Sequence, residues 1–147
     1  MSSNARTLTY PMMVGNIKKG GYIILKEFPC KVTEICISKT GKHGHAKSHI
    51  VGSDIFTNKK YEDIFPSSHN VEVPYVDKFE YKLVDITEEG YIAIMDNHNN
   101  MREDLKLPEG EEISTEIQNH FDEEEEINLT ILSAMGIDKV IAYKLER

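Results

Sequence analysis

Apolar residues along this chain fall into short runs separated by Gly, Pro, Asn and charged clusters. In the first half, Thr9-Tyr10-Pro11 opens the ordered region, and Ile17-Lys18-Lys19-Gly20-Gly21 gives a turn. Tyr22-Ile23-Ile24-Leu25 reads as a strand stopped by Phe28-Pro29, and residues 31–37 form the next. Further strands are predicted at His49–Val51, Tyr61–Phe65 and Val71–Pro74, the last with its proline best placed at an edge or end. Thr57-Asn58-Lys59-Lys60 is a turn in which Asn58 can take positive φ. No helical period occurs in residues 10–75, so short, evenly spaced strands argue for a small antiparallel barrel.

The second half starts with the period-two run Phe79-Glu80-Tyr81-Lys82-Leu83, then a turn at Glu88-Glu89-Gly90 and a buried strand Tyr91–Met95. Asp96–Asn100 is a hairpin connection, and Met101–Leu107 is strand-like or extended up to Pro108. Ile113, Ile117 and Phe121 recur at i, i+4 and i+8 and predict one short helix, with Glu111 and Glu112 suited to its N-terminus. Glu123–Glu126 is a solvated acidic run; strands follow at Ile127–Ile131 and Val140–Leu145. Five strands with a helix before the fourth match an OB-fold barrel.

One stretch fits no core. Lys39-Thr40-Gly41-Lys42-His43-Gly44-His45-Ala46-Lys47 has nothing apolar larger than alanine, yet Val32, Ile35 and Ile37 precede it and Ile50 and Val51 follow. It reads as the tip of a hairpin whose two strands are buried, with Lys42-His43 bracketed by Gly41 and Gly44 so that a tight bend costs little. A lysine at such an apex is placed to be inserted into something else.

Charge divides the chain as the strand pattern does. Residues 1–75 carry 10 Lys+Arg and 6 Asp+Glu, a net of +4; residues 76–147 carry 7 and 19, a net of −12. With Pro74, this sets a boundary between domains 1–75 and 76–147. The basic half can face phosphate; the acidic half is suited to basic partners. No apolar run approaches the roughly 20 residues that cross a bilayer. The N-terminus lacks the apolar core of a signal peptide, and Cys30 and Cys36 are read as reduced, buried thiols. A cytoplasmic protein without a membrane partner is expected.

Catalytic motifs are missing: no Gly-x-Ser-x-Gly, no phosphate-cradling loop ending in Gly-Lys-Ser/Thr and no dinucleotide fingerprint occurs. His43, His45 and His49 space as H-x-H-x3-H, which would make a metal-dependent enzyme a third reading. Lys39, Lys42 and Lys47 without a nearby carboxylate oppose a cation there. From composition alone, the loop is either a phosphate-neutralising protrusion or a solvated tip.

The run from Ser38 to Lys47 is similar to the modification loop of eukaryotic translation initiation factor 5A, the hypusine-containing family related to bacterial elongation factor P. The likeness continues through Asp54–Asp63, Pro66–Pro74, Arg102–Pro108 and Leu132–Met135, almost the whole chain. The family usually has Gly at position 58, Thr at 68 and Thr at 37, where this chain has Asn58, Ser68 and Ile37. The resemblance implies an all-β protein: an SH3-like barrel carrying the hypusine loop (residues 38–47), then an OB-fold with one short helix. It implies a non-enzyme with no cofactor or metal. Its Lys42 would become hypusine when deoxyhypusine synthase transfers an aminobutyl group from spermidine and deoxyhypusine hydroxylase completes it. Lys39, Thr40, Gly41, His43, Gly44, His45 and Lys47 would contact the modifying enzyme or tRNA. The partners implied are the ribosome near its exit (E) site and peptidyl-tRNA, with the factor a monomer or weak dimer. It would promote peptide-bond formation at stalled sequences such as polyproline and assist termination. The alternative is a general RNA-binding module that acts unmodified.

Overall fold

The computed structural model describes residues 8–39 and 46–146 and divides into two compact units, Met1–Tyr75 and Val76–Arg147. In the first unit, β1 (Thr9–Met13) pairs antiparallel with β6 (Asn70–Pro74), and a 3-10 turn at Val14–Asn16 follows β1. A four-stranded antiparallel sheet runs β2 (Tyr22–Leu25), β3 (Phe28–Lys39), β4 (Ala46–Asp54), β5 (Lys60–Pro66). The two sheets curl around Ile23, Leu25, Val32, Ile50, Val71 and Val73. This half-barrel agrees with the small antiparallel barrel that the strand pattern predicts and with the SH3-like barrel that the resemblance implies.

The break after β2 differs from expectation. Lys26-Glu27 makes the turn and Leu25 pairs directly with Phe28, so Phe28-Pro29 begins β3 and does not stop β2. Lys26 and Glu27 have φ of 51° and 74°, the left-handed pair that a two-residue hairpin turn requires. Neither is Gly, Asn or Asp, so the turn carries no signature in the sequence. Asn58 does take positive φ, 66°. Its turn is tied by the Asp54 carboxylate, which accepts hydrogen bonds from the Phe56 and Thr57 amides.

In the second unit a five-stranded antiparallel sheet has the order β11 (Ile137–Leu145), β10 (Ile127–Ala134), β7 (Asp77–Ile86), β8 (Ile92–Met95), β9 (Met101–Arg102). α1 (Glu112–Asp122) sits between β9 and β10 in sequence, as the OB-fold requires. Ile117 is fully buried against Leu83, Ile94, Ile127 and Leu129, with Ile113 and Phe121 packed alongside, so the predicted helical face is the real one. Of the extended stretch expected at Met101–Leu107, only Met101–Arg102 is strand; an isolated bridge joins Lys106 to Tyr91. β11 starts earlier than predicted because Met135-Gly136, both at positive φ, turn the chain in two residues.

Curling brings the two edge strands of this sheet together. Arg102 on β9 donates to Asp138 Oδ2 on β11 at 2.6 Å and to Asp104 Oδ1 and Oδ2 at 2.6 and 3.0 Å. A side-chain clasp therefore joins the edges that the ladder order leaves apart. Burial opposes the charged form of Asp138, but hydrogen bonds from Ser133 and Arg102 outweigh it and hold the carboxyl below the usual carboxylate range.

Candidate functional site

β3 and β4 extend beyond the barrel as an arm. A bulge at Thr33 shifts the register from Val32↔Gly52 to Glu34↔Val51. The ladder then continues through Ile35↔Ile50, Cys36↔His49, Ile37↔Ser48 and Ser38↔Lys47 to Lys39↔Ala46. At about 3.4 Å per residue, β3 runs about 14 Å from Ile35, which packs on the core, to Lys39. The root of the arm depends on Gly52. A Cβ there would meet the Lys31 carbonyl oxygen at 2.8 Å and the Cys30 Cβ at 3.0 Å, so only glycine lets β4 lie this close to β3.

The far end is braced by β5, through Ser48↔Phe65 and Lys47↔Pro66, and by the Ser67 amide, which donates to the Ala46 carbonyl at 2.9 Å. Ser48 is buried under this bracing. On the outer face His49 Nε2 lies 2.8 Å from Glu62 Oε1. The arm is a three-stranded stem up to Lys47, not a loose loop.

Two expectations for the stem are corrected. Its strands are not buried along their length: Ile37 is 67% exposed and Ser38 and Lys39 are exposed as well, because β3 has by then left the barrel. Cys36 is an exposed thiol, since the bulge and the strand's exit turn it to solvent. Cys30 is buried, and that burial, with Asp54 nearby, pushes its thiol up to about 11. The usual burial of cysteine gave both thiols the same environment; it carries no signal for the bulge.

Of the predicted site residues, Thr40, Gly41, Lys42, His43, Gly44 and His45 lie outside the described residues. Lys39 and Lys47 are described and both are exposed. They belong to adjacent rungs of the ladder, so they project from opposite faces of the arm. The root of the six-residue connection between Lys39 and Ala46 thus carries a cation on each side. His49, proposed with His43 and His45 as a ligand set, is engaged with Glu62. No helix among the described residues is long and apolar enough to cross a membrane.

Residues that reasoning from the sequence missed are the braces: Gly52, buried Ser48 and the His49–Glu62 pair. Hydrophobic pattern carries no signal for them, because their role is set by partners on other strands.

Comparison with known proteins adds to this geometry. Residues 7–69 match the family model for the translation initiation factor 5A-like N-terminal domain. Residues 75–144 match a model described as eukaryotic elongation factor 5A hypusine, DNA-binding OB fold. The eukaryotic translation initiation factor 5A-3 of Arabidopsis thaliana is 50% identical over 136 residues, covering 92% of this chain and 86% of that protein. Among solved structures, a translation initiation factor 5A family protein from Naegleria fowleri superposes with a TM-score of 0.90 at 50% identity, covering 95% of this chain and 100% of that one. An archaeal structure, eukaryotic translation initiation factor 5A from Methanococcus jannaschii, superposes with a TM-score of 0.69 at 31% identity, covering 93% of this chain and 96% of that one. Relatives thus align along nearly the full length of the chain, in sequence and in structure. The chain belongs to the translation initiation factor 5A family, translation factors with a hypusine domain.

Proposed function

We propose that this chain acts on the ribosome near the E site through Lys42 converted to hypusine, and that it promotes peptide-bond formation at stalled sequences such as polyproline and assists termination. Deoxyhypusine synthase forms a bond from the Lys42 nitrogen to the aminobutyl group of spermidine as the C–N bond of spermidine breaks and 1,3-diaminopropane leaves, and deoxyhypusine hydroxylase completes the side chain. The chain is the substrate of that chemistry and performs no catalysis itself. The observation that carries the reading is the arm: a braced stem leaves the barrel and ends on exposed Lys39 and on Ala46, the two residues that flank the six-residue sequence containing Lys42.

The physical logic is reach and charge. An unmodified lysine offers one compact ammonium on a four-carbon stem. The aminobutyl extension lengthens it and adds a second positive centre, suited to bridging phosphates in a narrow RNA cleft. Lys39 and Lys47, one on each face of the root, would neutralise phosphate on both walls of such a cleft or be gripped by the synthase. Seated beside the acceptor end of peptidyl-tRNA, the arm accelerates the reaction by orienting the substrates, while the ribosome supplies the active site.

The test has two parts. Intact mass of the peptide spanning Lys42, purified from cells that contain the synthase, is expected to exceed that of plain lysine. Lys42→Arg keeps the charge and is expected to keep the fold but to lose polyproline read-through in a reconstituted translation assay. Plain Lys42 in an active protein, or full activity of Lys42→Arg, favours a module that binds RNA unmodified.

A further inference from the structure

The second unit carries a groove of its own. It has a volume of about 430 Å³ and lies between β7 and the C-terminal end of α1. Its apolar floor is Val84 and Phe121; its rim is Asp122, Glu124, Glu125 and Glu126. Val84 is the extra residue of a bulge in β7, where the register shifts between Leu83 and Asp85, and it stands 45% exposed. Val84 follows inward-facing Leu83 and so points out of the barrel, among the carboxylates of the rim.

The charge of the groove is one-sided. Among the described residues Lys82 is the sole lysine or arginine lining it, 3.6 Å from Glu126, and Glu125 lies 2.9 Å from His120 Nδ1. Glu124 and Asp122 have no ion-pair partner among the described residues. The groove also lies at the negative end of the α1 dipole, worth about half an elementary charge. Its potential repels a phosphate backbone, and a bare metal ion would leave the apolar floor unused.

We propose that this groove docks a basic segment of a partner protein, one that places an aliphatic side chain on Val84 and Phe121 and arginine or lysine side chains on the acidic rim. Charge complementarity selects the partner, and the apolar floor fixes its register. The site is independent of Lys42.

Titration of the full chain with a fluorescent peptide of alternating arginine and leucine tests this by anisotropy. Binding is expected to weaken about tenfold in Val84→Asn and at least as much in Glu124→Gln/Glu126→Gln, each change reflecting loss of one central anchor or one charge set. Glu88→Gln/Glu89→Gln, on the exposed turn after β7, is expected to bind like the parent. Circular dichroism checks that each variant is folded. Equal affinity for an all-lysine peptide of the same charge, or equal weakening by the Glu88/Glu89 variant, would reduce the groove to non-specific electrostatics and overturn the proposal. So would a DNA duplex that binds the parent and is lost in the same groove variants.

Discussion

The clasp across the OB-fold edges invites a quantitative test, Arg102→Met. Methionine keeps most of the aliphatic stem and removes the guanidinium. The lost bonds include the contact to Asp138 at 2.6 Å, the two-oxygen grip on Asp104 and a side-chain contact with Tyr81. Asp104 is 62% exposed and returns to water at little cost, whereas Arg102 and Asp138 are 27% and 25% exposed. Exposed ion pairs contribute about 0.2–1 kcal/mol, and breaking a fully buried pair costs about 3–5 kcal/mol. Three-quarters burial, with Ser133 still bonded to Asp138, puts the loss near 2 kcal/mol. For a unit of this size that is roughly 8–16 °C in Tm. Urea unfolding followed residue by residue by NMR reads the second unit apart from the first, and a cycle with Asp138→Asn isolates the pair. The pH dependence follows from the depressed Asp138 and Asp104 carboxyls. Their contribution is complete above the unfolded value of about 4 and is lost as pH falls through the lower folded values, so the gap between parent and variant closes in acid. A loss below about 0.5 kcal/mol at neutral pH, or a gap that persists unchanged in acid, refutes the clasp.

Two further changes probe the arm and its barrel. Gly52→Ala forces β3 and β4 apart at the arm's root and is expected to destabilise the first unit by about 1–3 kcal/mol, read as a lower urea midpoint. Replacing Lys26-Glu27 by Asn-Gly suits the left-handed turn and is expected to raise the midpoint by about 1 kcal/mol, since it gives up only an exposed Lys26–Asp63 contact at 3.7 Å.

Local pattern made much of this protein legible. The face Ile113, Ile117, Phe121 predicted α1, and the buried runs predicted most strands, because periodicity reports directly which side of an element meets the core. The positive φ of Asn58 was legible for a similar reason: side-chain chemistry and backbone preference coincide in one residue. Lys26-Glu27 hides its turn because the strands it joins impose the geometry against the residues' own preference.

The sequence alone determined most of the strands and the one helix, the opposite charge of the two halves and a basic, glycine-bracketed run around Lys42 that no core could accept. Tertiary structure decided where β3 leaves the barrel, and with it the exposure of Ile37 and Cys36. It also decided that Lys39 and Lys47 face opposite ways and that Arg102 meets Asp138 across the sheet edges. The physical reason is register: which strand lies opposite which, and where a bulge adds one residue, depends on partners distant in the chain, and each such shift reassigns every side chain beyond it.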